Sequence, residues 1–198
     1  MINAKEIGYF HSECHTSINW PQELLKDFSN NELWFWIQNN HRFNTLLWDE
    51  EDLARRNNVS DSEIANNKKT IDRLNQQRND AIEKIDELML SICSSTKIKI
   101  NAWHNSETFG SIVDRLSILS LKLYHMSIQS NRTDITNKDI QNALSKLEQL
   151  ESQKIDLLGC LDNLVQGVIA GEVFFKIYRQ HKMYNDPTMN PYLSGLKK

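Results

Sequence analysis

Glycine and proline are scarce in this chain, six and three among 198 residues, where average usage would put them at roughly twelve per cent together. A sheet protein with many tight turns needs such punctuators, so their scarcity excludes a turn-rich β fold and favours long helices. A surplus of positive charge is missing too. The net charge is −3 with a pI near 6.1, and the longest run of Lys and Arg is a dipeptide. The basic face of a dedicated nucleic-acid binder is therefore not expected. No stretch free of Asp, Glu, Lys and Arg exceeds ten residues, about half of what a membrane-spanning helix requires. The start, Met1-Ile-Asn-Ala-Lys-Glu6, lacks the apolar stretch of a secretory signal. Cysteine is limited to Cys14, Cys93 and Cys160, odd in number, far apart and without a Cys-x-x-Cys pair. Free thiols and a cytoplasmic location are the expectation.

What is present is helical pattern. The hydrophobic fraction is a lean 39%, but five Trp and seven Phe make the chain too aromatic for disorder. Residues 1–18 show no sustained period and read as an irregular arm. Pro21 suits the first turn of a short helix through Leu24, Leu25 and Phe28. Asn30 or Asn31 caps a second helix to about Arg56, with Leu33, Trp36, Phe43, Leu47 and Ala54 on one face. Ser60-Asp-Ser-Glu63 is a capping box, in which hydroxyl and carboxylate satisfy each other's orphan N–H groups. It opens a helix whose seam runs Ile64, Ile71, Leu74, Arg78, Ala81, Ile85, Leu88 and Ile92. Ser106 or Thr108 starts a fourth helix with Phe109, Ile112, Leu116, Leu119, Leu123 and Met126 in one stripe. Thr136 with Asp139 opens the longest periodic segment, from Leu147 to Phe175, stopped by Asn185-Asp-Pro187. The expected architecture is all-α: a single-domain bundle of long amphipathic helices over residues 19–183, with a tail at 184–198.

Function is sought where polar residues interrupt this pattern. Arg78 sits in mid-seam, where an unpartnered charge costs several kcal/mol to desolvate, so it calls for an ion pair, carbonyls or an anionic ligand. Asn75 and Asn79 flank it. On the second helix, His41, Asn44, Trp48, Asp52 and Arg55 fall within about 80° of one another, on the face opposite the apolar one. On the fourth, Glu107, Ser111, Asp114, Ile118 and His125 share a side, with Arg115 and Lys122 at its edge. Asp114 and Arg115 point about 100° apart and do not suit a mutual pair.

Catalytic templates are poorly matched. The Glu-x-x-His of di-iron bundles is absent. Glu83-x-x-Asp86 and Glu148-x-x-Glu151 have the spacing of Mg²⁺-dependent helical pyrophosphohydrolases, but such pairs arise by chance among 26 acids. His11, Cys14 and His15 lack an indicated fourth zinc ligand. No metal site is expected, and no cofactor is indicated.

Three segments carry a family resemblance: Asn40 to Arg55, Ile71 to Asp80 with its continuation Glu83 to Asp86, and Asn105 to Leu119 extended to Tyr124-His-Met126. Together they resemble the bacterial domain-of-unknown-function family 4254, over about residues 20 to 180. The resemblance implies a single-domain protein encoded near glycosyltransferases of surface-polysaccharide clusters. That is an association and not a mechanism.

Three functions fit these readings. In the first, a polar pocket between the second, third and fourth helices binds an anionic, ring-bearing ligand such as a sugar phosphate or nucleotide sugar, as an accessory of polysaccharide biosynthesis. His41, Asn44, Trp48 and Arg55 form one wall, Asn75 and Arg78 another, and Glu107, Asp114, Arg115 and His125 the third. Guanidinium forks bind phosphate and an indole stacks on a flat face. In the second, the segment from Ile140 to Phe175 carries the seam of a non-enzymatic homodimer. In the third, His41 or His125 acts as a base beside Asp114 or Glu107 in a metal-dependent phosphohydrolase or glycan-modifying enzyme.

Overall fold

The longest helices run as two hairpins. A computed structural model of the chain, describing residues 2–180, 188–193 and 195, contains α1 (Ala4–Cys14), α2 (Glu32–Ala54), α3 (Asp61–Ile92), α4 (Phe109–Ser130) and α5 (Asn137–Ile169). Two short strands, β1 (Trp103–His104) and β2 (Val173–Phe174), pair in parallel, with Trp103 opposite Val173 and His104 opposite Phe174. α2 and α3 are antiparallel, as Asn67 reaching Glu50 (2.8 Å) and Lys84 facing Glu32 (3.8 Å) show. α4 and α5 form the second hairpin, and α1 lies against both. The all-α bundle is as the sequence pattern requires.

Local chemistry sets the helix starts. Asn31 accepts from the Trp34 N–H, the capping box of Ser60 and Glu63 is formed, and Thr136 accepts from Asp139 N. Thr108 caps α4 together with Ser111. The core between the hairpins contains Ile7, Leu33, Ile37, Ile85, Met89, Phe109, Val113, Leu161 and Leu164, all buried.

Three readings need correction. Residues 4–14 are a helix and not an irregular arm: Ala4, Ile7, Phe10 and Cys14 are buried along one side, and Asn3 caps its start. Its period escaped notice because His11 joins the buried side in place of an aliphatic residue. The segment from Pro21 to Phe28 forms turns instead of a helix. Gln38 of α2 holds it in place by accepting from Lys26 N (3.0 Å) and donating to Lys26 O (2.9 Å). The last helix stops at Ile169, well before Phe175. There the chain turns at Gly171, whose positive φ of 68° suits only glycine and whose α-carbon sits against the Lys97 carbonyl. This turn sends residues 173–174 back beside β1. The expected stop at Asn185 to Pro187 lies outside the described residues, as does much of the expected tail.

One contact fixes how α4 meets α3. A Cβ on Gly110 would lie 2.5 Å from the Ile82 carbonyl and 3.1 Å from Asp86 Oδ1. Gly110→Ala must therefore push the two helices apart, and is expected to destabilise the fold by about 1–3 kcal/mol. A wild-type melting temperature for this variant would show that the helices do not approach so closely.

Candidate functional site

The first part of the α2 polar stripe, His41 and Asn44, faces inward. Residues Ile37 to His41 are five consecutive buried residues, covered by α1, by the 15–31 segment and by the neighbouring helices. The apolar and polar faces expected on opposite sides of α2 are therefore both buried along this stretch. What allows it is hydrogen bonding from α4. Asp114 Oδ1 accepts from Asn40 Nδ2 (2.9 Å) and Asn44 Nδ2 (2.8 Å), and Ser117 Oγ accepts from Asn44 Nδ2 (3.0 Å). Ser117 Oγ also lies 2.8 Å from His41 Nδ1.

Around His41 the rings form a chain. His11 stacks on it with centroids 4.5 Å apart, and Trp20 stacks at 5.4 Å. His15 meets its edge, stacks in turn on Tyr124 at 4.7 Å, and hydrogen-bonds Ser120 at 3.0 Å. Burial is the main cause that holds these imidazoles neutral: His11 falls to about 3, His15 to about 4, and His41 well below its ordinary value. Both ring nitrogens of His11, Nε2 of His41 and Oδ1 of Asn40 are buried without a hydrogen-bond partner. His41 is sealed from solvent and reaches Ser117 instead of Asp114 or Glu107, so it has no access to a substrate. Burial also raises the Cys14 thiol to about 12, which keeps it protonated. Among the described residues, no three His, Cys, Asp or Glu side chains are grouped to hold a metal ion.

The ring chain ends at an open cavity. Tyr124 meets the edge of His125, and His125 stacks on Trp48 with centroids 4.4 Å apart and planes only 4° from parallel. This pair lines a cavity of about 430 Å³ between α2, α4 and α5, shared with Lys122, Gln129, Lys146 and Gln149. Lys122 and Lys146 form no ion pair among the described residues, whereas Asp52 on the same wall is engaged by Arg55 at 3.1 Å. Burial lowers the His125 pKa while Asp52 and Asp49 oppose the shift. Its acidic neighbours are thus on α2, not the expected Asp114 or Glu107.

The ten residues singled out in the sequence do not meet in one pocket. His41, Asn44 and Asp114 form the closed core, and Trp48 and His125 line the open cavity. Arg55 is on the surface, paired with Glu51 and Asp52. Glu107 and Arg115 pair with each other (2.8 Å) in a separate cavity at the start of α4. Asn75 and Arg78 are half-buried on α3, and among the described residues Arg78 Nε is buried without a partner and no carboxylate pairs with Arg78. Sequence reasoning missed Asn40 and Ser117 and the lysine on α5, Lys146. The only local signal for the imidazole cluster was His11 and His15, spaced four apart on one helix face.

The fold and site define an all-α bundle with a closed polar core beside an open aromatic, lysine-bearing cavity. The family model described as Protein of unknown function (DUF4254) matches residues 34–177, and the chain belongs to that family. Comparison with curated proteins and with solved structures gave no match.

Proposed function

We propose that this protein binds an anionic, ring-bearing ligand of the sugar phosphate or nucleotide sugar class in the cavity between α2, α4 and α5. The observation that carries this reading is the stacked, parallel Trp48–His125 pair flanked by two lysines that form no ion pair among the described residues. A stacked pair at a cavity wall can extend its stack onto the flat face of a ligand ring. Ammonium groups that no internal carboxylate neutralises attract a phosphate, each by about 1 kcal/mol in water and several times that as water is excluded. Gln129 and Gln149 add amide donors and acceptors. Handling such a ligand would suit an accessory of surface-polysaccharide biosynthesis.

The arrangement favours this over a dimer seam along α5. Leu144 and Ile155 are exposed on α5, but Glu148 and Glu151 stand between them, which breaks the apolar row.

Calorimetry against sugar phosphates and nucleotide sugars tests the proposal. Wild-type protein is expected to bind a member of this class, and Lys122→Ala with Lys146→Ala to weaken binding at least about tenfold, or roughly 1.4 kcal/mol. Raised salt should weaken the wild type more than the double variant. Absence of heat with every member of the panel would overturn the reading.

A further inference from the structure

A second cavity of about 550 Å³ lies between α4, α5 and the β1–β2 pair, and its wall has a different chemistry. Trp103 lines it and is 71% exposed. Backbone bonds fix the strand that carries the indole: Trp103 N donates to Glu172 O (2.7 Å) and Asn105 N to Phe174 O (2.9 Å). A large aromatic ring on a fixed stretch of backbone, left open to solvent, presents a flat apolar face to whatever enters. Opposite it, Gln153, Asp156 and Asn163 fall within about 80° on α5. None of the three makes a hydrogen bond within the described residues, so their amides and carboxylate are open to a ligand.

Charge separates this cavity from the lysine-bearing one. Among the described residues its one cation, Arg115, is neutralised by Glu107 at 2.8 Å, and Asp156 is left over. Such a wall disfavours phosphate. An exposed indole with amides and a carboxylate suits a neutral polyol instead, whose C–H face stacks on the ring while vicinal hydroxyls donate to carboxylate and carbonyl oxygens.

The two cavities adjoin, with Gln153 in the wall of both. Along α4, Arg115 and Lys122 are seven residues apart, about 10 Å of helix. Along α5, the span from Gln149 to Asn163 is about 21 Å. A groove of that length fits a ligand with a charged end and a neutral end joined together.

We infer that the Trp103 cavity is the glycosyl subsite of the groove, taking the neutral sugar ring of a nucleotide sugar whose phosphates lie at Lys122 and Lys146. This inference rests on the reading under Proposed function and adds which end of the ligand lies where. Calorimetry with UDP-glucose, UDP-N-acetylglucosamine, GDP-mannose and dTDP-glucose, each set against its nucleoside diphosphate, tests it. Trp103→Ala and Asn163→Ala are both changes of exposed side chains that leave the core intact. Each is expected to weaken nucleotide-sugar binding at least about fivefold and to leave nucleoside diphosphate binding unchanged. Equal weakening of both ligand types would overturn the glycosyl assignment. So would unchanged nucleotide-sugar binding in these variants, if Lys122→Ala with Lys146→Ala still weakens it; the anion site would then stand alone. Failure of every probe to bind the wild type would overturn the anion site together with this inference.

Discussion

Lowering the pH from 7 to 5 is expected to destabilise the fold, His11 alone removing about 2 kcal/mol. His11 and His41 are held neutral in the folded protein, His11 at about 3 against 6.5 when unfolded. Between those values the unfolded chain binds protons that the folded chain refuses, so stability falls as pH falls, by about 1.4 kcal/mol per pH unit for each group. From pH 6.5 to pH 5 His11 alone costs about 2 kcal/mol, and His41 acts in the same direction. His15, partly solvent-screened, adds a smaller share in the same direction. Asp86 opposes them. Buried beneath the start of α4, where it accepts from Gly110 N (2.6 Å), its carboxyl is raised to about 6. It takes up its proton in the folded state first, which returns about 1.4 kcal/mol as the pH falls from 6 to 5. The histidines win because they outnumber it. Well below its unfolded value of 3.8, Asp86 is protonated in both states and its contribution no longer changes. Urea denaturation at pH 7, 6 and 5 should show the midpoint falling, with no further change above pH 7.5. His11→Phe keeps the stacked ring without buried, unpartnered nitrogens, so it should flatten the pH dependence by about one proton. A pH-independent midpoint would show that these imidazoles are not desolvated.

Asp114→Ala is expected to cost about 2–5 kcal/mol and to do so without touching the open cavity. The substitution leaves the Asn40 and Asn44 amides buried with donors unmet, at about 1–3 kcal/mol each. Asn44 retains its bond to Ser117, which keeps its share toward the lower end. Asp114→Asn preserves an acceptor oxygen at the same place and should recover more than half of the loss. Chemical denaturation of both variants measures this. If Asp114→Ala matches the wild type, the amide–carboxylate cluster does not hold α2 against α4.

Helix starts were legible in the sequence because caps are local. Ser60 with Glu63, Thr108 with Ser111 and Thr136 with Asp139 complete their bonds within one turn. The end of α5 was not legible, since its stop depends on a close approach to Lys97, more than seventy residues away. That His41 and Asn44 close into a hydrogen-bonded core was not legible for a related reason. A polar residue reads as solvent-facing unless a partner is known, and the partners of Asn40, His41 and Asn44 come from α4, 70 to 76 residues further on. Those same anomalous residues still marked an internal junction, which is why His41, Asn44 and Asp114 converge. Arg55 and the Glu107–Arg115 pair found partners on their own helices or beside them and left the group.

The central claim is that chemistry is divided between a closed, neutral imidazole core and an open anion-binding cavity at His125. Imidazole resonances of the histidines, followed by NMR during titration with a nucleotide sugar that binds, test this most directly. His125 is expected to shift and its pKa to rise as a phosphate comes to rest nearby, while His11 and His41 stay unmoved and neutral. A ligand that shifts His11 or His41 and leaves His125 unchanged would contradict it.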